Sequence, residues 1–133
     1  MILMVVALAL LDGEGRVLMQ RRPDGKEHGG LWEFPGGKIE SHEDAEEALV
    51  REIAEELGIA IAPENLFPLT FATSGAGAAR PVVLLLYTCD NWQGEPVAEP
   101  GAAIVWCDRA SLAELPMPPL DVPLAAAVTK MLK

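Results

Sequence analysis

A chain of 133 residues, half of them hydrophobic, is long enough for one domain with a substantial core and too apolar to stay disordered. Its formal net charge of −10 argues against binding a nucleic acid polymer, because neutralising phosphates needs clustered Lys and Arg. A small anionic nucleotide is still compatible, provided that a metal ion bridges the two negative partners.

Met1 to Leu11, MILMVVALALL, is apolar throughout. It lacks a basic leader and a small-residue cleavage site, and it is too short to span a bilayer. We read it as a buried central strand in a cytoplasmic protein with no membrane partner. The turn Asp12-Gly13-Glu14-Gly15 then closes a hairpin onto Arg16 to Arg22. A loop from Pro23 to Gly30 leads to a short strand, Leu31 to Phe34, ending at Pro35-Gly36-Gly37. A helix follows. Beyond it, strands are expected near Leu66 to Thr73, Val82 to Cys89 and Ile104 to Cys107, with a turn at Asn91 to Pro96. Ser111 to Leu115 reads as a short helical turn, and Val122 to Leu132 as a last helix after a proline-rich stretch. No repeat or linker interrupts residues 1–133, so we expect one α/β domain: a mixed sheet between helical layers.

The helix carries the chemistry. Glu52, Glu55 and Glu56 are spaced i, i+3 and i+4, which places three carboxylates on one face. Ala45, Leu49, Ile53 and Leu57 recur every four residues and form a separate, buried stripe. Gly58 follows the last of them as a terminating glycine, and Ser41, with Asp44 three residues on, is a candidate N-terminal cap. Clustered carboxylates repel one another, and a hard divalent cation with oxygen ligands removes that repulsion. Acidic helix faces are often merely solvated. Here the glycine turn, Arg51 and Gly58 stand at fixed offsets from the acids. Arg51 is better placed to pair with a carboxylate such as Glu43 than to touch substrate. Cys89 and Cys107 lie in apolar runs and read as buried free thiols.

The run Gly37 to Ile59, GKIESHEDAEEALVREIAEELGI, matches the Nudix box at every fixed position. The flanks, Gln20-Arg21-Arg22-Pro23 and Gly29 to Glu40, resemble the MutT-type branch of the Nudix hydrolase superfamily, the 8-oxo-dGTP diphosphatases. The resemblance implies a Nudix-type α/β/α sandwich with a mixed sheet. It further implies dependence on Mg²⁺, with Mn²⁺ an alternative, and hydrolysis of a nucleoside triphosphate to the monophosphate and pyrophosphate. By matching position, the Gly36 carbonyl, Glu52, Glu55 and Glu56 make up the metal site. Glu52 is the general-base candidate and Glu56 its alternative. Lys38 faces the phosphates, and Arg22, Phe34 and Arg80 contact the nucleotide. Arg22 and Arg80 read equally as surface cations, and Phe34 as core.

The chain departs from the branch at two places. A glutamate that in the branch helps with metal or water commonly precedes a Gly after the Gly-x-Pro turn; Pro100 stands there in this chain, and Glu99, one residue earlier, is the catalytic candidate in its place. In an extended segment that shift would turn the side chain to the other face, and a loop could restore it. Asp121 stands where the founding pattern has an asparagine that reads the base. It serves equally as a helix N-cap. His28 and His42 have no ligand-spaced partners and read as polar loop residues. Trp32, Trp92 and Trp106 read first as packing residues.

The leading expectation is therefore a Mg²⁺-dependent pyrophosphohydrolase of 8-oxo-dGTP, acting as a monomer or homodimer. The alternative keeps the fold and changes the substrate to a modified pyrimidine triphosphate or a nucleotide sugar. A non-catalytic nucleotide-binding module is the third reading.

Overall fold

The computed structural model describes residues 1–25, 29–75 and 79–132. His28 of the Pro23 to Gly30 loop lies outside them. In chain order the elements are β1 (Leu3–Leu10), β2 (Val17–Arg21), β3 (Trp32–Glu33), β4 (Gly36–Lys38), α1 (Ala45–Leu57), a 3₁₀ turn (Pro63–Asn65), β5 (Phe67–Thr73), β6 (Val82–Cys89), β7 (Ala103–Cys107), α2 (Arg109–Glu114) and α3 (Asp121–Thr129).

The strands form two sheets rather than one. The larger is mixed, in the order β4-β1-β6-β5, and the smaller is antiparallel, β3-β2-β7. β1 is central, as its apolar run predicts. It pairs in parallel with β6 from Leu3 opposite Val82 to Leu10 opposite Cys89, and antiparallel with β4 on its other edge.

The two-residue alternation of β1 builds both helical layers. Val6, Leu8 and Leu10 join Leu49, Ile53 and Leu57 of α1 in one cluster. Ala7 and Ala9 join Leu124 and Val128 of α3 in the other. β2 repeats the division, with Leu18 on the α1 side and Val17 and Met19 on the α3 side. This is the expected α/β/α sandwich. Full burial of each such Leu or Ile is worth about 1.5–3 kcal/mol.

Three local expectations are corrected. β1 and β2 are not hairpin partners. The Asp12 carboxylate does close the turn, accepting from the N–H groups of Glu14 and Arg16, but only a single bridge, Leu11 to Val17, joins the two runs. Both edges of β1 are taken by β4 and β6, so β2 leaves to start the second sheet. Next, Gly36-Gly37 is strand, not turn. A Cβ on Gly36 would overlap the Val6 carbonyl oxygen, so its glycine permits close pairing with β1 rather than reversal of the chain. Finally, the α1 cap is Asp44, not Ser41. Asp44 accepts from the Glu47 N–H at 2.8 Å while the Glu47 carboxylate accepts from the Asp44 N–H at 3.0 Å. Such a reciprocal pair satisfies two donors that the helix cannot.

Both cysteines are free and buried, as expected, and burial pushes their thiols up. The tryptophans are half-buried, with Trp92 stacked on Trp106 at 6.1 Å between ring centroids.

Candidate active site

The α1 stripe is buried as its spacing predicts: Leu49, Ile53 and Leu57 are fully enclosed. Gly58 ends the helix in the left-handed region, φ 70°, where a Cβ would be strained. With that stripe fixed against β1, Glu52 meets β4 at Gly37 and Glu56 meets β2 at Gln20, while Glu55 stays outside.

They are not equivalent. The Glu55 side chain is 58% exposed, at the rim. That of Glu52 is 18% exposed and lies against Gly37, where any Cβ would overlap its carboxyl group. Glu56 is largely enclosed, and its Oε1 accepts from Gln20 Nε2 at 2.8 Å. Its other oxygen, Oε2, is buried and has no hydrogen-bond donor among the described residues. Burial is the main cause lifting the Glu56 carboxyl to about 8; Gln20 opposes the shift, and the neighbouring Glu52 adds to it.

The sheet wall opposite comes from one face of β2 and its extension. Leu18 and Gln20 face α1 in turn, apolar and then amide, and Arg22 follows just beyond the strand. Gln20 is paired with Glu33 of β3, and Arg22 Nε donates to Glu33 Oε1 at 2.6 Å. Gln20 and Glu33 were not singled out from sequence. A glutamine inside an otherwise fully buried strand was the available signal, since such an amide requires a polar partner.

Arg51 ties β4 and the loop after it to the helix. It donates to both Glu43 oxygens at 2.7 and 2.9 Å, to Glu52 Oε1 at 2.9 Å, to Glu55 Oε2 at 3.5 Å and to the Lys38 carbonyl at 3.2 Å. The expected Arg51–Glu43 pair is present, and its hydrogen bonds hold the Glu43 carboxyl down at about 2. Arg51 thus fastens the loop after β4 onto α1.

These residues fit a divalent cation without forming a finished cage. Among the described residues no three acidic, His or Cys side chains are already gathered as ligands. Glu52 and Glu56 nevertheless face one another, and Glu56 Oε2 lacks any donor. A hard cation satisfies such an oxygen and removes the repulsion, with further ligands from substrate or water. Gly36, on β4, immediately precedes the glycine that touches Glu52.

The remaining predicted residues divide. Lys38 is exposed at the end of β4. Phe34 is 3% exposed and belongs to the α3-side core. Asp121 is not the N-cap of α3: Leu120 holds that position, and Asp121 is the first helical residue. Its carboxylate turns inward, 5% exposed, and accepts from the Phe34 N–H at 3.1 Å. Burial lifts Asp121 to about 7; the Phe34 bond opposes this, Glu33 adds to it, and Arg22 opposes it. Asp121 therefore sits near the Arg22–Glu33 pair. Glu99 is exposed in a turn whose Gly101 packs on Pro23, at the end of the small sheet where Ala103 pairs with Arg21. Arg80 is exposed just before β6, and no hydrogen bond or ion pair among the described residues joins it to α1. Two apolar depressions of about 270 Å³ lie over β5–β6 and between α2 and α3, and neither is lined by Glu52, Glu55 or Glu56.

A family model described as a NUDIX domain matches residues 1–130. The chain is similar to a CTP pyrophosphohydrolase of Escherichia coli K12, 36% identical over 123 residues, covering 92% of this chain and 88% of that protein. It is also similar to an 8-oxo-dGTP diphosphatase of the same organism, 30% identical over 127 residues, covering 95% and 96%. A solved structure from work on MutT of Aliivibrio salmonicida and Vibrio cholerae matches with a TM-score of 0.85 at 27% identity, covering 98% of this chain and 99% of that one.

Proposed function

Because the chain belongs to the Nudix family and is a hydrolase of nucleoside triphosphates, we propose a specific reaction for it: release of pyrophosphate from a (deoxy)nucleoside triphosphate, with Mg²⁺ as the ion. The single observation that carries this reading is the buried, donorless Glu56 oxygen facing Glu52. When bound, a divalent ion neutralises phosphate charge and acidifies water. Glu52, Glu55, Glu56 and the Gly36 carbonyl would hold it. Glu52, pinned at one oxygen by Arg51, is the candidate to take the proton from the attacking water, and Glu56 is the alternative. Lys38 and Arg22 supply positive charge to the phosphates, with Arg22 oriented by Glu33. By the same resemblance, Phe34, Asp121 and Arg80 would contact the nucleotide, and Glu99 would assist the metal or the water.

The first substrate we propose is 8-oxo-dGTP, hydrolysed as nucleotide-pool sanitation by a cytoplasmic monomer or homodimer. Relatives with that printed activity support it. No helix among the described residues is long and apolar enough to cross a membrane. Two observations favour a cytidine triphosphate as a second reading: the relative named for CTP, and an aspartate at position 121. Above about pH 7, where Asp121 is ionised, its carboxylate only accepts hydrogen bonds, and cytosine offers an amino donor. Turnover with Mg²⁺ on 8-oxo-dGTP, dGTP, CTP and dCTP decides between them. The first reading expects kcat/KM for 8-oxo-dGTP to exceed that for dGTP by about tenfold or more, and a preference for CTP selects the second. Absence of pyrophosphate from all four would overturn the reaction itself. The full set of box carboxylates argues against a non-catalytic module, for which Glu52→Gln would leave nucleotide binding unchanged and have no turnover to abolish.

A further inference from the structure

Gln20 is 7% exposed and lies on β2 between Ile104 of β7 and Glu33 of β3. It therefore marks the boundary where the α1-side core, to which Leu18 and Ile104 belong, gives way to the acidic site. Its amide spends Nε2 on Glu56 Oε1, 2.8 Å away and 36 residues distant in sequence. Its Oε1 is buried with no donor among the described residues, and so is Glu56 Oε2 beside it. Two orphaned acceptors on adjacent side chains are unfavourable in a purely structural role, where leucine or methionine would fill the same space with no unpaired atom. They are compatible with a site that receives a cation and its water. An amide that grips one carboxylate oxygen also fixes which way the other faces, and groups of this kind orient metal ligands from behind.

We propose that Gln20 is a positioning residue for the ion site. Its Nε2 turns Glu56 so that Oε2 faces the cation, and its Oε1 accepts a hydrogen bond from water on that cation. The inference rests on the metal-dependent reading of the site given above.

The test compares the wild-type chain with Gln20→Met, which keeps the volume and removes both polar atoms, and Gln20→Asn, which keeps the amide but shortens its reach. Mn²⁺ affinity is read by paramagnetic resonance without nucleotide, thermal stability is read in chelator, and kcat and KM are read at fixed Mg²⁺. Expected for Gln20→Met is Mn²⁺ affinity weakened about 10- to 100-fold, kcat lowered by a similar factor with nucleotide KM little changed, and metal-free melting level or higher. Gln20→Asn should show the same losses, and it carries the test should Gln20→Met fail to fold. Mn²⁺ affinity and kcat within twofold of wild type in a folded variant would overturn the inference and make Gln20 a core residue. A wild-type chain that binds no Mn²⁺ would instead overturn the metal reading on which it rests, so the two failures are distinguishable.

Discussion

Glu43 and Glu56 flank the same stretch of helix and are held in opposite ways. Both Glu43 oxygens are occupied by Arg51, and the carboxyl is stabilised in its ionised form. Glu56 has one oxygen held by a neutral amide, the other unpaired, and its ionised form is disfavoured by burial. A fully partnered acid holds the backbone in place and has nothing left to offer a ligand. An acid left incomplete in a dry place is unstable until something charged arrives. The difference separates scaffold from chemistry among residues of one type.

The substitution that tests this contrast most severely is Glu56→Gln. Pyrophosphate release should fall by about 10³-fold, because an ion worth several kcal/mol of charge stabilisation loses a ligand. Melting in chelator should stay level or rise, since repulsion from Glu52 is relieved; a large metal-free loss would place Glu56 with the scaffold. Gly37→Ala comes next. The new methyl group overlaps the Glu52 carboxyl and must displace it, so we expect kcat to fall about 10²-fold, with wild-type-like rates showing that Glu52 is free to move. Arg51→Ala attacks the scaffold half. Releasing Glu43 and the Lys38 carbonyl should lower the melting temperature and reduce kcat about tenfold, a smaller kinetic effect and a larger structural one than Glu56→Gln.

The last effect is on stability, a pH dependence on the other side of the sheet. Asp121 has its folded pKa raised to about 7 from an ordinary value of 3.8. The folded chain thus binds this proton more tightly than the unfolded chain does. Stability from this group is fully present below the unfolded pKa and is lost as pH rises through about 7. Asp121→Asn keeps an acceptor for the Phe34 N–H and cannot ionise. Relative to wild type it should be nearly neutral at acid pH and stabilising at pH 8, by up to about 4 kcal/mol. Urea midpoints at the two pH values measure this, and a constant difference would show that Asp121 does not titrate there.

What sequence made legible follows from how local each signal is. The α1 stripe, the acidic triplet, Gly58 and the Arg51–Glu43 pair all lie within one helix and its lead-in, where spacing alone fixes geometry. The helix cap was misassigned by three residues because Ser41 and Asp44 are both good cap types, and only the reciprocal Glu47 bond distinguishes them. The hairpin between β1 and β2 failed for a different reason. A turn sequence fixes a reversal of direction, but it does not reveal that β4 and β6, far along the chain, already occupy both edges of β1. The partner of Gln20 and the inward rotation of Asp121 could not be read for the same cause, since each contact forms only across the fold, with Glu56 and Phe34.

The ladder of β1 with β6 runs unbroken over eight residue pairs, and it sets the alignment of the proposed site. Along β1, Val6, Leu8 and Leu10 lie under α1, and two alanines lie under α3. Sliding the strand by one position would put the alanines beneath α1 and the larger side chains beneath α3. Glu52 would then shift in height over Gly37, and Glu56 over Gln20, while every local motif stayed intact. The spacing between acid and wall is thus gauged from below, by branched side chains in a strand that contributes no reactive group.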